Sequence, residues 1–139
     1  MNRVDFYFNA SDKLEVMAKL LHKSVNGGFH VFVHMRDPKM MQMFNQYLWH
    51  SRPLSFLPHV LADHFLATQT PVVIGSDPGS IMKLDILINY DPLIPDYYSR
   101  FDRVLEVVSE DAVDRELSRE HFRFFKQNGC PVFSHDLKG

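Results

Sequence analysis

The stretch VDFYFNASDKLEVMAKLLHKSVNGGFHVFVH, residues 4–34, decides the fold. Its first five residues, Val4 to Phe8, are aromatic and β-branched, the composition of a strand. Ser11 or Asp12 then offers an N-cap. Leu14, Met17, Ala18, Leu21 and Val25 follow at the spacing that lines one face of a helix. Asn26-Gly27-Gly28 stops that helix, because glycine accepts the left-handed geometry of a helix end. Phe29 to His34 reads as a second strand. Strand, helix, strand is the unit of a parallel sheet with crossover helices.

Outward from this unit the same alternation continues. Asp37-Pro38 starts a second helix with a cap and a proline at its first position, and that helix runs through Met40, Met41, Phe44, Tyr47 and Leu48 to Trp49. The segment YLWHSRPLSFLPH, residues 47–59, holds the only tryptophan and two prolines, Pro53 and Pro58, which bias the backbone before them toward extended geometry. Val60 to Ala67 reads as a short helical turn, Pro71 to Gly75 as a strand and Leu84 to Asn89 as another. Asp96 to Phe101 is a helical turn, Arg103 to Val108 a strand and Asp111 to Asn128 the last helix. Pro131 to Ser134 fits an edge strand, where proline is tolerated. The expected architecture is an α/β three-layer sandwich: a mainly parallel sheet with helices on both faces, Rossmann-like in topology, in a single domain spanning residues 1–139.

Several function classes are disfavoured. The turn after the first strand, FNASDK, contains no glycine, and neither the dinucleotide fingerprint nor a P-loop occurs. A nucleotide-binding α/β enzyme of unknown reaction therefore remains only as the alternative reading, resting on the sheet alone. Eight histidines invite a metal, but His59 and His64, with Asp63 between them, are five apart, which does not make helix neighbours. His30 and His34 lack Cys or carboxylate partners at ligand spacing. No G-x-S-x-G elbow is present. Cys130 follows a helix C-terminus, whose negative dipole end disfavours a thiolate. The expectation is no catalytic residue, no metal and no cofactor. A net charge of -2 argues against a strongly DNA-binding surface. One cysteine fits a reducing compartment, and no apolar run approaches the roughly 20 residues of a membrane helix. A soluble, cytoplasmic protein with no membrane partner is expected.

Two segments carry surface chemistry. Turned at 100° per residue, the last helix places Val113, Leu117, Phe124 and Asn128 on one side, with His121 nearby, as its core face. Arg115, Arg119, Phe122 and Lys126 fall opposite, with Arg123 at the edge. One reading is a solvated face with Glu116–Arg119 and Glu120–Arg123 pairs. The other is a socket for a peptide bringing carboxylates and an aromatic ring. The Trp49–His59 loop likewise reads either as a flap over the core or as a hydrophobic protein-binding surface.

Taken together, FYF near the N-terminus, YLWHSRPLSFLPHVLA, LDILIN, FDRVLEVV and SREHFRFFKQNGC resemble the chi subunit of bacterial DNA polymerase III holoenzyme. The resemblance covers most of the chain and is weakest from Ala67 to Lys83. It implies an α/β fold and an accessory, non-catalytic role in DNA replication. It also implies a heterodimer with the psi subunit, which joins the chain to the clamp-loader complex. A second implied partner is the acidic C-terminal tail of single-stranded DNA-binding protein, which ends in Pro-Phe, so that DNA is met mostly indirectly. By motif, Arg115, Arg119, Phe122, Arg123 and Lys126 match the tail-binding helix. Val108 and Trp49 match positions around the pocket for the tail's terminal phenylalanine. Phe56, Pro58 and His59 match the region that meets psi. Phe122 and Arg123 stand where relatives often carry Tyr and Lys.

Overall fold

The structure is a computed structural model; it describes residues 2–50, 58–62, 64, 70–79, 81 and 84–138. The elements run β1 (Arg3–Ala10), α1 (Lys13–Asn26), β2 (Val31–His34), α2 (Pro38–His50), β3 (His59–Leu61), β4 (Val72–Gly75) and β5 (Ile86–Asn89). A short 3-10 helix (Asp96–Arg100), β6 (Arg103–Ser109), α3 (Ala112–Gln127) and β7 (Val132–Asp136) complete them. Of the two capping candidates at α1, Asp12 accepts the Glu15 N–H at 3.1 Å. Asp111 caps α3 in the same way, accepting from the Asp114 N–H.

The described strands form one sheet in the order β3-β4-β2-β5-β6-β1-β7. Every adjacent pair is parallel. Side chains alternate across it. Val31 and Val33 join Met17, Leu21, Phe44 and Leu105 on the side covered by α1 and α2. Phe32 joins Phe6, Leu87, Phe101, Val104 and Phe125 on the side covered by α3 and the 3-10 helix. That two-sided burial explains why the central strands are apolar throughout, and a fully buried Phe44 or Phe125 contributes roughly 1.5–3 kcal/mol by leaving water. The three-layer α/β sandwich matches the expectation.

Two local expectations are corrected. The segment Val60 to Ala67, expected as a helical turn, begins as a strand: His59, Val60 and Leu61 pair with Val72, Val73 and Ile74, and a turn follows in which the Leu61 carbonyl accepts the His64 N–H at 3.0 Å. The close approach depends on Gly75, where an added Cβ would lie 2.5 Å from that of Ala62. The remainder of the expected turn, residues 63 and 65–67, lies outside the described residues.

The second correction concerns the core face of α3. Val113 is 68% exposed and Phe124 36%, whereas His121 and Phe125 are buried. The face is turned by roughly 70° from the expected one. A histidine can lie inside because its ring meets two acceptors, Glu106 and the Pro92 carbonyl. Phe125 fits against the rings of Phe6 and Tyr98 at 6.3 and 5.4 Å between centroids. Phe122 consequently sits on the rim of the core rather than opposite it, with its ring 5.6 Å from that of Phe6.

Candidate functional site

Rotating α3 in this way builds a groove. Phe6 and Phe8 of β1 and Val108 of β6 lie along its floor, Phe122 forms one wall, and Arg115, Arg119 and Arg123 stand along its rim. Ser109, Ser118 and Ser134 add hydroxyls, and the cavity measures about 700 Å3. β1 supplies the aromatic floor because alternate residues of a strand share a face. α3 supplies the cations because positions three and four apart stack along a helix.

The rim charges are held differently. Arg119 donates to Glu116 at 3.0 Å, and both side chains are exposed. A Glu120–Arg123 pair does not form, and Arg123 has no hydrogen-bond or ion-pair partner among the described residues. Arg115 donates through Nη2 to the side-chain carbonyl of Asn9 at 3.1 Å. Lys126 lies beyond the groove lining, with Nζ 5.6 Å from the centre of the Phe122 ring, a cation–π contact. The site thus offers an apolar slot bordered by guanidinium groups, two of them not paired with a carboxylate among the described residues.

Beneath the groove, α3 is fixed by two polar ties. Asp114 accepts the Ser109 N–H at 2.8 Å and pairs with Lys13 at 3.1 Å. Burial works to raise its pKa, but the Ser109 N–H and the Lys13 ammonium outweigh burial and hold the carboxyl below the usual range. His121 donates from Nδ1 to the Glu106 carboxylate at 3.0 Å and from Nε2 to the Pro92 carbonyl at 2.7 Å. Burial alone would lower its pKa; Glu106, helped by the Pro92 carbonyl, reverses this and raises it.

Val108, Arg115, Arg119, Phe122 and Arg123 are therefore brought together, and Lys126 adjoins them. Trp49 is not. It ends α2, its ring 4.5 Å from that of His59, beside β3 at the opposite edge of the sheet from β7. His59 is buried and donates from Nε2 to the Asn45 carbonyl at 3.3 Å, while Trp49 is 48% exposed. Pro58 is half-buried next to them. Phe56 lies outside the described residues.

Sequence reasoning missed Phe6, Phe8 and Asn9 as groove residues. The strand pattern marked the two phenylalanines only as apolar. Asn9 carried a usable signal, an Asn directly after a strand, the residue type that most readily enters left-handed backbone apart from glycine. That turn counted only as evidence against a phosphate site.

A model of the protein family described as DNA polymerase III chi subunit, HolC, matches residues 1–132. The DNA polymerase III subunit chi of Pseudomonas aeruginosa is 33% identical over 141 residues, covering 99% of this chain and 98% of that protein. The protein of the same name from Haemophilus influenzae is 23% identical over 124 residues, covering 88% of this chain and 86% of its own length.

Proposed function

The chain belongs to the DNA polymerase III chi subunit family, and from that premise we propose that it is a non-catalytic, single-domain adaptor. In this reading it ties the C-terminal tail of single-stranded DNA-binding protein to the clamp-loader complex through the psi subunit. The observation that carries the reading is the convergence of Arg115, Arg119 and Arg123 around a slot floored by Phe6, Phe8 and Val108. An acidic peptide ending in an aromatic residue matches both halves. Its carboxylates meet guanidinium groups, and its ring enters the apolar slot against Phe122. The psi surface is assigned to the other edge, where half-exposed Trp49 stands beside Pro58 and His59; Phe56, two residues before Pro58 in the sequence, belongs to the same assignment by motif.

A short tail buries little area, so its affinity is on the order of micromolar. Long-range attraction makes association fast and salt-sensitive. Many tails on one coated strand would raise the effective strength without any new contact. The test is a titration with a labelled acidic peptide ending in Asp-Phe-Pro-Phe, using wild type, Arg115→Ala and Arg123→Ala. Saturable binding that weakens about tenfold in each variant, and weakens with added salt, is expected. No wild-type binding at millimolar peptide would remove the groove from this role.

A further inference from the structure

We infer that Asn9 is the positioning residue of the groove: it fixes the Arg115 guanidinium at the rim without neutralising it, so that a ligand carboxylate becomes the counter-ion. The inference rests on the acidic-peptide reading of the groove.

The backbone supplies the first argument. Asn9 has φ 66°, the only positive φ outside glycine among the described residues. The register of β1 against β6 slips between Tyr7 and Ala10, so that Phe8 and Asn9 together face only Val108. In an unbroken strand successive side chains point to opposite faces. At this bulge Phe8 and Asn9 both line the groove. Bulges redirect side chains in this way, and strained backbone is retained where it has a use.

The side chain supplies the second. The Asn9 Nδ2 donates to Asp136 at 2.9 Å, and its Oδ1 accepts from Arg115 at 3.1 Å. Asp136 is itself held by the Lys138 N–H at 3.0 Å. A carboxylate on one side and a guanidinium on the other allow only one orientation of the amide. Arg115 is thereby anchored by a neutral carbonyl. Arg119, anchored by the Glu116 carboxylate, has part of its charge already answered.

The experiment measures affinity for the same labelled peptide and thermal stability in Asn9→Gly and Asn9→Asp. Asn9→Gly is also built in the Arg115→Ala background. Glycine accepts the positive φ without strain, so Asn9→Gly is expected to keep or raise the melting temperature while binding falls about fivefold. In the Arg115→Ala background the same change is expected to alter binding by less than about twofold, since the lost contact is already gone. Asn9→Asp tolerates the backbone, pairs directly with Arg115, and is expected to weaken binding and flatten its salt dependence. Wild-type affinity in both Asn9 variants, or an equal loss from Asn9→Gly in both backgrounds, overturns the inference. If Arg123→Ala still weakens binding in that case, the groove remains a peptide site and only the role of Asn9 falls. If no variant differs and wild type does not bind, the peptide reading falls and this inference falls with it.

Discussion

Replacing Glu106 by Gln tests what holds the arginine-bearing helix in place. Glu106 and His121 are 5% and 7% exposed. Both ring nitrogens of His121 face groups that can only accept: the Glu106 carboxylate at 3.0 Å and the Pro92 carbonyl at 2.7 Å. Only the doubly protonated imidazolium satisfies both, since a neutral ring leaves one lone pair facing an oxygen. Glu106 also accepts from the Asn89 amide at 3.1 Å. Glutamine preserves the shape but removes the charge and presents an amide N–H where an acceptor stood. A buried hydrogen bond to a charged group contributes about 1.5–3 kcal/mol. Because the uncompensated histidine can shed its proton, the cost stays near that range, below the larger loss of a stranded ion. With a urea slope of about 2 kcal/mol per molar, the unfolding midpoint should drop by roughly 1 M.

The same pair predicts a pH dependence. The folded pKa of His121 is raised above its ordinary value of 6.5. The folded state therefore binds this proton more tightly than the unfolded state. The resulting stability is fully present below about pH 6.5 and is lost as pH rises through the folded value. The difference between wild type and Glu106→Gln should thus be larger at pH 6 than at pH 9. Urea unfolding at both values gives the answer. A difference below about 0.5 kcal/mol, or one that does not change with pH, would refute the charged-pair account.

Other outcomes follow from the same structure. Phe125→Ala removes a fully buried ring from the α3 interface and should cost about 3–5 kcal/mol in chemical unfolding. Gly75→Ala places a Cβ against that of Ala62 and should cost about 1–3 kcal/mol by forcing β3 away from β4, as read from a lowered melting temperature. Asp5 is fully buried between Arg3, Arg103 and His135. Burial opposes its ionisation, but hydrogen bonds from those three groups prevail and lower its pKa. Its contribution is present above the ordinary carboxylate pKa and lost as pH falls through the lower folded value. Asp5→Asn should accordingly cost about 1–3 kcal/mol at pH 7, with a gap that closes in acid titrations followed by circular dichroism.

The layer order was legible because every strand except β3, and every helix, carries a local signal. Val31 to His34 is too apolar for an edge, Gly27 and Gly28 mark a helix end, and Asp12 and Asp111 mark helix starts. The orientation of α3 was not legible. Phe122, Phe124 and Phe125 spread over about 160° of its circumference, so periodicity alone could not choose among them. The choice falls to tertiary partners: Glu106 accepts a buried His121, and Phe6 and Tyr98 accept Phe125. The arginine row survives the error because it is defined by spacing along the helix, whereas Phe122 changes from an outward ring to a groove wall. Trp49 lies apart from the arginine row for a different reason. Motif resemblance says which residues matter but not which edge of a sheet they occupy.

The strand order has a mechanical consequence. The groove lies by β6, β1 and β7, and Trp49 lies by β3. Spacing of about 4.8 Å over the six gaps of a seven-stranded sheet separates the two edges by about 29 Å. If partners grip both edges at once, tension between them runs across the strands, along the hydrogen bonds, rather than along the chain. The narrowest seam among the described residues is then the three-residue ladder between β3 and β4, followed by the four-residue ladders that β5 makes with β6 and β2 with β4 and β5. Such seams, pulled lengthwise along their bonds, should part at lower force than the same sheet sheared along its strands. Optical-tweezer handles placed at the two edges, compared with handles at the two ends of β1, would measure the difference; equal rupture forces would sink the idea. The chain would then act as a fuse, giving way at the seam beside β3 before its partners are damaged.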